Sequence, residues 1–212
     1  MSVNVSRIPH EIRARLTLLT FRRAQLRFRM RRHLHGSDVA IISQNCVGSR
    51  ISDLAGNPYR SPTVGLFFDP DSFLEFVGDL RRYLAHDLSE DLEAGRRAGY
   101  PVGRMGAVTV NFMHYGTFAD AEAKWRERAQ RVDVDNVALV FTDKDGATDE
   151  HITRFAQLPD SRKLAFTAKE FPTLECVAAV PAFAGSKEIG DLYTHWTLLE
   201  PVLKGPRLDV FR

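Results

Sequence analysis

Hydrophobic positions along the chain follow two periodicities that take turns. Ile8, Ile12, Leu16, Leu19, Leu26, Met30 and Leu34 recur at helical spacing in a segment without Gly, where Pro9 stands only near the start. This predicts one or two basic amphipathic helices over residues 7–34. After Gly36 a short apolar run at 38–43 predicts a buried strand, and the polar turn Gln44-Asn45-Cys46-Val47-Gly48 leads into a short helix near 49–55. Residues 63–68 predict the next strand. Asp69-Pro70-Asp71 has the form of a helix start, with Phe73, Phe76, Val77, Leu80 and Leu84 as the inner face of a helix from about 71 to 86.

Further on, the charged stretch 88–99 suits a loop or short helix, and Tyr100-Pro101-Val102-Gly103 a turn into a strand at 107–113. A helix over 119–132 turns Ala121 and Trp125 inward. The apolar run 137–141 is a buried strand, followed by a helix near 148–157, strands at 163–167 and 174–180, and a tail with a helix around 189–203. Alternating strands and helices predict an α/β fold with a mostly parallel or mixed sheet and helices on both faces, preceded by basic N-terminal amphipathic helices. The division is a basic helical arm, residues 1–36, and an α/β domain, residues 37–212.

Charge changes this picture more than composition does. The net charge is only +2, yet residues 1–35 carry nine Arg against Glu11, leaving 20 basic and 26 acidic side chains beyond them. A basic arm on an acidic body is a candidate contact surface. The arm admits a helix docked on the domain with its Arg face in water. It also suits an anionic membrane surface through residues 7–35, where Arg stems join Leu26, Phe21 and Phe28. Nucleic acid is disfavoured, because the acidic remainder offers no second basic face. With only Cys46 and Cys176 there is no disulfide framework, and no run approaches the roughly 20 apolar residues that span a bilayer. The expected location is the cytoplasm, peripheral to the inner membrane.

Chemistry concentrates where strands end. The strand at 137–141 delivers the chain into Thr142-Asp143-Lys144-Asp145-Gly146. Asp143 and Asp145, one residue apart, can ligate Mg²⁺ or Mn²⁺ through oxygen, and such a cation holds the phosphates of a nucleotide-linked donor. The same residues also suit a solvated turn in which Gly146 supplies positive φ, and an apolar strand followed by Asp-x-Asp-Gly resembles the nucleophile loop of haloacid-dehalogenase-like phosphatases.

Cys46 and His114 each end a strand, so in a parallel sheet a thiolate, an imidazole and the amide of Asn45 can form a nucleophilic set, and Cys46 is equally suited to apolar packing. Gly48 belongs to a turn able to present N–H groups to an anion. Ser61 and Thr63 are candidates for a cleft wall, Lys144, Lys163 and Lys169 for phosphate contacts, and Tyr193 and Trp196 for sugar stacking, while Trp125 belongs in the core. The seven histidines lack zinc-type spacing, and there is no Walker loop or G-x-G-x-x-G.

An ordered set of segments carries a resemblance: Ile42-Ser-Gln-Asn-Cys-Val-Gly48, Ser61-Pro-Thr-Val-Gly-Leu-Phe-Phe68, Tyr100-Pro-Val-Gly103, Phe112-Met-His-Tyr115, Lys124-Trp-Arg126, Asn136-Val137, Phe141-Thr-Asp-Lys-Asp-Gly146 and Leu158-Pro159. Over roughly residues 38–180 the chain resembles a bacterial family of unknown function whose members are commonly labelled exopolysaccharide biosynthesis proteins. Members usually have an aromatic residue and a second Gly after the cysteine, where this chain has Val47 and Ser49.

The resemblance implies work on surface polysaccharide with a nucleotide-sugar or glycan substrate. In that setting Asp143 and Asp145 would bind a metal-diphosphate, with His114 near the acceptor and Asn45, Gly48, Ser61, Thr63, Tyr115 and Lys144 on the substrate side. Two alternatives stand beside this glycosyltransferase-like reading. One is an acyl or glycan transferase using Cys46 and His114, and the other is a non-catalytic binding or scaffold protein of the same pathway.

Overall fold

A computed structural model describes residues 10–212 apart from residue 161, with side chains from residue 20 onward. The first nine residues of the expected arm, and the side chains of Ile12, Leu16 and Leu19, therefore lie outside the described residues. In chain order the elements are α1 (His10–Leu34), β1 (Ala40–Ser43), α2 (Val47–Ala55), α3 (Pro70–Gly78), α4 (Leu80–Leu84), β2 (Ser89–Glu90), α5 (Leu92–Ala98), β3 (Val102–Met105) and β4 (Val108–Asn111). They continue with α6 (Phe118–Ala129), β5 (Val137–Thr142), α7 (Asp149–Gln157), β6 (Lys163–Thr167), β7 (Val177–Ala179) and α8 (Pro206–Asp209).

The chain is a mixed α/β fold. Its centre is a four-stranded parallel sheet in the order β1-β5-β6-β7, with Ser43 opposite Val140 and Thr142 opposite Phe166. Along β5 the side chains alternate between two cores. Ala138 and Val140 join α1, α2 and the C-terminal tail, whereas Val137, Leu139 and Phe141 join α3, α6, α7 and the antiparallel strands. A strand covered on both faces carries an unbroken apolar run, which is why 137–141 lacks polar alternation.

The antiparallel strands form a second sheet, β2-β3-β4, in which Tyr100-Pro-Val-Gly103 enters β3 and continues the pairing instead of merely turning. Residues 63–68, expected as a strand, form none. The N–H and C=O of Phe67 both pair with Asn111 at 2.9 Å, while the N–H of Phe68 donates to the carbonyl of Gln44 at 2.9 Å. Adjacent residues thus bond to different sheets, so the segment stitches the two sheets together without extending either.

Two helices also differ from expectation for local reasons. The helix over 71–86 is interrupted at Asp79, which leaves helical geometry (φ −141°, ψ 62°) and accepts from the N–H of Arg82 at 3.3 Å, starting α4 afresh. Over 189–203, expected as a helix, only residues 196–199 are helical, as a 3-10 turn. The Asp191 carboxylate takes the N–H groups of Tyr193 (2.8 Å) and Thr194 (3.1 Å), a side-chain alternative to helical bonding.

The described part of the basic arm is one continuous helix docked on the domain. Leu26, Met30 and Leu34 are fully or almost fully buried against α2 and the tail, Arg29 pairs with Glu200 at 2.9 Å, and Arg23 and Arg27 lie over the Trp196 ring. Among the described residues no helix is long and apolar enough to cross a membrane. Because these contacts are buried, Leu26→Ala or Met30→Ala should each cost about 2–5 kcal/mol of unfolding free energy, measured by urea denaturation of the full chain.

Candidate functional site

The parallel sheet sends the chain in opposite directions from two neighbouring strands. After β1 it enters α2 in the core shared with α1; after β5 it reaches α7 in the core shared with α3. Such a divergence opens a crevice beyond the carboxyl ends of the strands, where open α/β sheets bind ligands.

The mouth of that crevice is held by buried polar side chains. Gln44 and Thr142 are both fully buried. The Gln44 Oε1 accepts from the Thr142 N–H at 2.9 Å and from its hydroxyl at 2.8 Å, and Asn45 Nδ2 donates to Thr142 Oγ1 at 2.8 Å. Behind them Ser43 Oγ receives the Gly48 N–H at 3.2 Å, and Thr63 Oγ1 receives the Ser43 N–H at 3.0 Å while bonding to Ser61 Oγ at 2.8 Å. A Cβ at Gly48 would stand 2.6 Å from Ser43 Cβ, so glycine is what lets α2 close onto β1. Gly48, Ser61 and Thr63 are all buried in this support and do not line the crevice.

The crevice is a cavity of about 640 Å³, within the range of small-molecule sites. Asn45, Cys46, His114, Lys144 and Asp145, from three separate stretches of the chain, all line it. Its apolar walls come from Leu66, Phe67, Tyr100 and Met113 on one side and from Leu192 and Tyr193 on the other, with Asp191 and Thr194 beside them. Arg50 clamps Tyr193 from α2, its guanidinium 4.0 Å from the ring centroid and its Nε donating to the Tyr193 carbonyl at 2.9 Å. Tyr115 stands outside the lining; its hydroxyl donates to the Val64 carbonyl at 3.0 Å and accepts from Arg128 at 2.9 Å, bracing the same connection. Trp196 is buried under Arg23 and Arg27, and Trp125 is a core residue, as its helix position predicts.

The two carboxylates of the acidic turn have different uses. Asp143 accepts the N–H of Ala168 at 2.6 Å and of Ile189 at 2.9 Å, so it ties the β6 end and the tail to β5 and holds the Asp191–Tyr193 wall in place. Burial, with neighbouring Glu188, pushes its carboxyl above the usual carboxylate range against those bonds.

Asp145 lines the cavity and has φ 60°, making it the non-Gly residue with positive φ among the described residues. Asp tolerates that conformation better than most residues, and backbone outliers of this kind cluster at functional sites. Partial enclosure by surrounding protein pushes the Asp145 carboxyl up, opposed by Lys144 and assisted by Glu188, although the side chain still reaches solvent. Asp191 goes the other way: burial opposes it, but hydrogen bonds from Thr194 and Tyr193 hold it below the usual range.

With both Asp143 oxygens engaged, and no group of three or more His, Cys, Asp or Glu placed to share an ion among the described residues, the donor set does not fit a resident Mg²⁺ or Mn²⁺. Cys46 shares the cavity with His114, but its thiol donates to the Leu66 carbonyl at 3.8 Å and burial raises its pKa. The first N–H groups of α2, Val47 and Gly48, are already taken by Asn45 Oδ1 and Ser43 Oγ. The usual activation of a thiol at a helix start is thereby weakened.

A family model described as a domain of unknown function (DUF1919) matches residues 18–200. The chain belongs to this family. It is also 32% identical over 164 residues, 77% of this chain and 78% of the relative, to an "Uncharacterized protein" of Haemophilus influenzae. The match to the DUF1919 profile takes in most of α1, the whole crevice and the tail wall.

Sequence reasoning did not single out Asp191, Thr194, Tyr100, Phe67 or Met113. The last three lie in or beside segments that carried the family resemblance, which was the available signal. Asp191 gave none, because its stretch has the periodicity of a helix.

Three outcomes follow from this geometry. Asp143→Ala strands two backbone N–H groups and should cost about 1–3 kcal/mol, with faster hydrogen exchange confined to the β6 end and residues 188–194. Alkylation of Cys46 in a Cys176→Ser background should titrate with a midpoint above the ordinary thiol value of about 8.5. The raised Asp145 pKa means that the fold disfavours its ionised form: the stability associated with its proton is present below the ordinary carboxylate pKa and lost as pH rises through the raised value. Asp145→Asn should therefore melt higher than wild type at pH 7 and about equally at pH 3, by calorimetry.

Proposed function

We propose that this DUF1919 protein is a transferase acting on a sugar-bearing substrate, with the crevice between the β1 and β5 ends as its active site. The observation that carries the reading is the composition of that single cavity. It is lined by a clamped, 38% exposed Tyr193 and by Tyr100 and Phe67, together with the polar groups of Asp145, Asp191, Asn45, Lys144 and His114. Sugar rings present an apolar C–H face and an edge of hydroxyls. Aromatic walls suit the first, and carboxylates and amides the second.

In this reading Asp145 is the proton acceptor. Its raised carboxyl is closer to the pH at which a base exchanges protons efficiently. As the acceptor hydroxyl forms its bond to the transferred group, its proton passes to Asp145, and the leaving group departs with the bonding electron pair toward Lys144. No step runs through a protein-held cation. His114 borders the acceptor side, and Asp191, held ionised, accepts hydroxyl hydrogen bonds. Exopolysaccharide assembly in the cytoplasm is the setting the family resemblance suggests, with a nucleotide sugar or glycan as substrate.

A thiol route through Cys46 is less favoured, since the group keeps its proton and bonds to Leu66. A pure binding role has one observation in its favour: no nucleophile–base hydrogen bond is preassembled in the cavity among the described residues.

The test is isothermal titration of a panel of nucleotide sugars and short oligosaccharides against wild type, Tyr193→Ala and Asp145→Asn. At least one sugar-bearing compound should bind wild type, lose about tenfold or more affinity in Tyr193→Ala, and bind Asp145→Asn almost unchanged. Turnover of that compound with an acceptor sugar should fall by about 10²–10⁴ in Asp145→Asn. Binding without turnover in wild type points to the binding-protein reading, and no binding by any sugar in the panel rejects the site.

A further inference from the structure

α1 has a face that the domain leaves uncovered. Leu26, Met30 and Leu34 fix the rotation of the helix by burying one side of it, so the opposite side must face outward. That outward side carries Phe21 and Phe28, which are 58% and 67% exposed and two helical turns apart. Large aromatic side chains this exposed are costly in water, and Phe at matching positions on one helix face makes a patch rather than scattered exposure.

Arg32 shares this side and Arg31 flanks it, both exposed. Among the described residues neither of these two forms an ion pair, whereas Arg29 pairs with Glu200 and Arg23 and Arg27 lie over Trp196.

We propose that this face of α1 is a docking surface for an anionic lipid bilayer, lying parallel to the membrane with Phe21 and Phe28 in the headgroup–acyl boundary and Arg31 and Arg32 on lipid phosphates. Charge decides the occupant. A twofold pairing of two copies through this face would set the same arginines against one another, since an isologous contact meets itself. An anionic lipid surface instead neutralises each of them, and aromatic insertion with basic flanks is the pattern of an interfacial helix. This role is independent of the chemistry proposed for the crevice. It would set the domain against the membrane, and no residue of α1 lines the crevice.

Flotation of the full chain with vesicles of phosphatidylcholine alone, or with one third phosphatidylglycerol, tests this directly. Wild type should float with the anionic vesicles and not with the neutral ones, and 0.5 M NaCl should weaken binding several-fold. Phe21→Ser/Phe28→Ser should lower the partition coefficient tenfold or more, and Arg31→Gln/Arg32→Gln should lower it with loss of most of the salt dependence. Both pairs alter exposed positions, so melting temperatures should match wild type. The proposal is overturned if wild type ignores anionic vesicles. Equal flotation of the Phe21→Ser/Phe28→Ser variant would also overturn it, as would conversion of a wild-type dimer to a monomer by that variant in light scattering, which would assign the face to a second copy.

Discussion

The bond between Gln44 and Thr142 is the constraint on which the rest of the structure turns. Two parallel strands end side by side, and beyond their last ladder bonds the chains must part to opposite faces of the sheet. A buried side-chain amide and a buried hydroxyl close the gap at that point, with Gln44 Oε1 receiving two donors from one residue. Asn45 extends the network to the cavity edge. In a low-dielectric interior such a network is rigid when satisfied and costly when broken. It therefore sets where α2 begins, where the acidic turn begins, and how wide the crevice opens between them.

Around that point the chain spends polar groups on architecture that could otherwise serve chemistry. Asp143 holds the tail wall, Ser43 and Asn45 cap the start of α2, and Ser61 and Thr63 support β1 from behind. What remains facing the cavity is a smaller set, with Asp145 in an unfavourable backbone conformation and an unfavourable electrostatic environment at once. Both are costs to stability, and their coincidence at one cavity-lining residue is the pattern expected where function is traded against stability.

Much of the architecture was legible in the sequence because each cue had one physical meaning. The unbroken run 137–141 reads as a buried strand and is one, and Asp69-Pro70 and Thr148 sit at helix starts as their side chains favour. That Asn45 and Cys46 stand beside Lys144 and Asp145 depends on the β1–β5 pairing, a strand order the sequence does not carry. What was not legible depended on partners distant in the chain. Residues 63–68 have strand composition, but their hydrogen bonds are divided between two sheets. The tail has helical spacing, yet the Asp191 carboxylate captures the N–H groups a helix would need. For the same reason the acidic pair looked like a unit: nothing local to it reveals that Ala168 and Ile189 occupy Asp143.

A double-mutant cycle on Gln44→Met and Thr142→Val, with unfolding free energies from urea denaturation, tests the organising bond most directly. Residues acting as one buried network should be non-additive, with a coupling of about 1 kcal/mol or more. Additivity within about 0.5 kcal/mol would contradict the account, because the strand ends would then be held by something other than this pair.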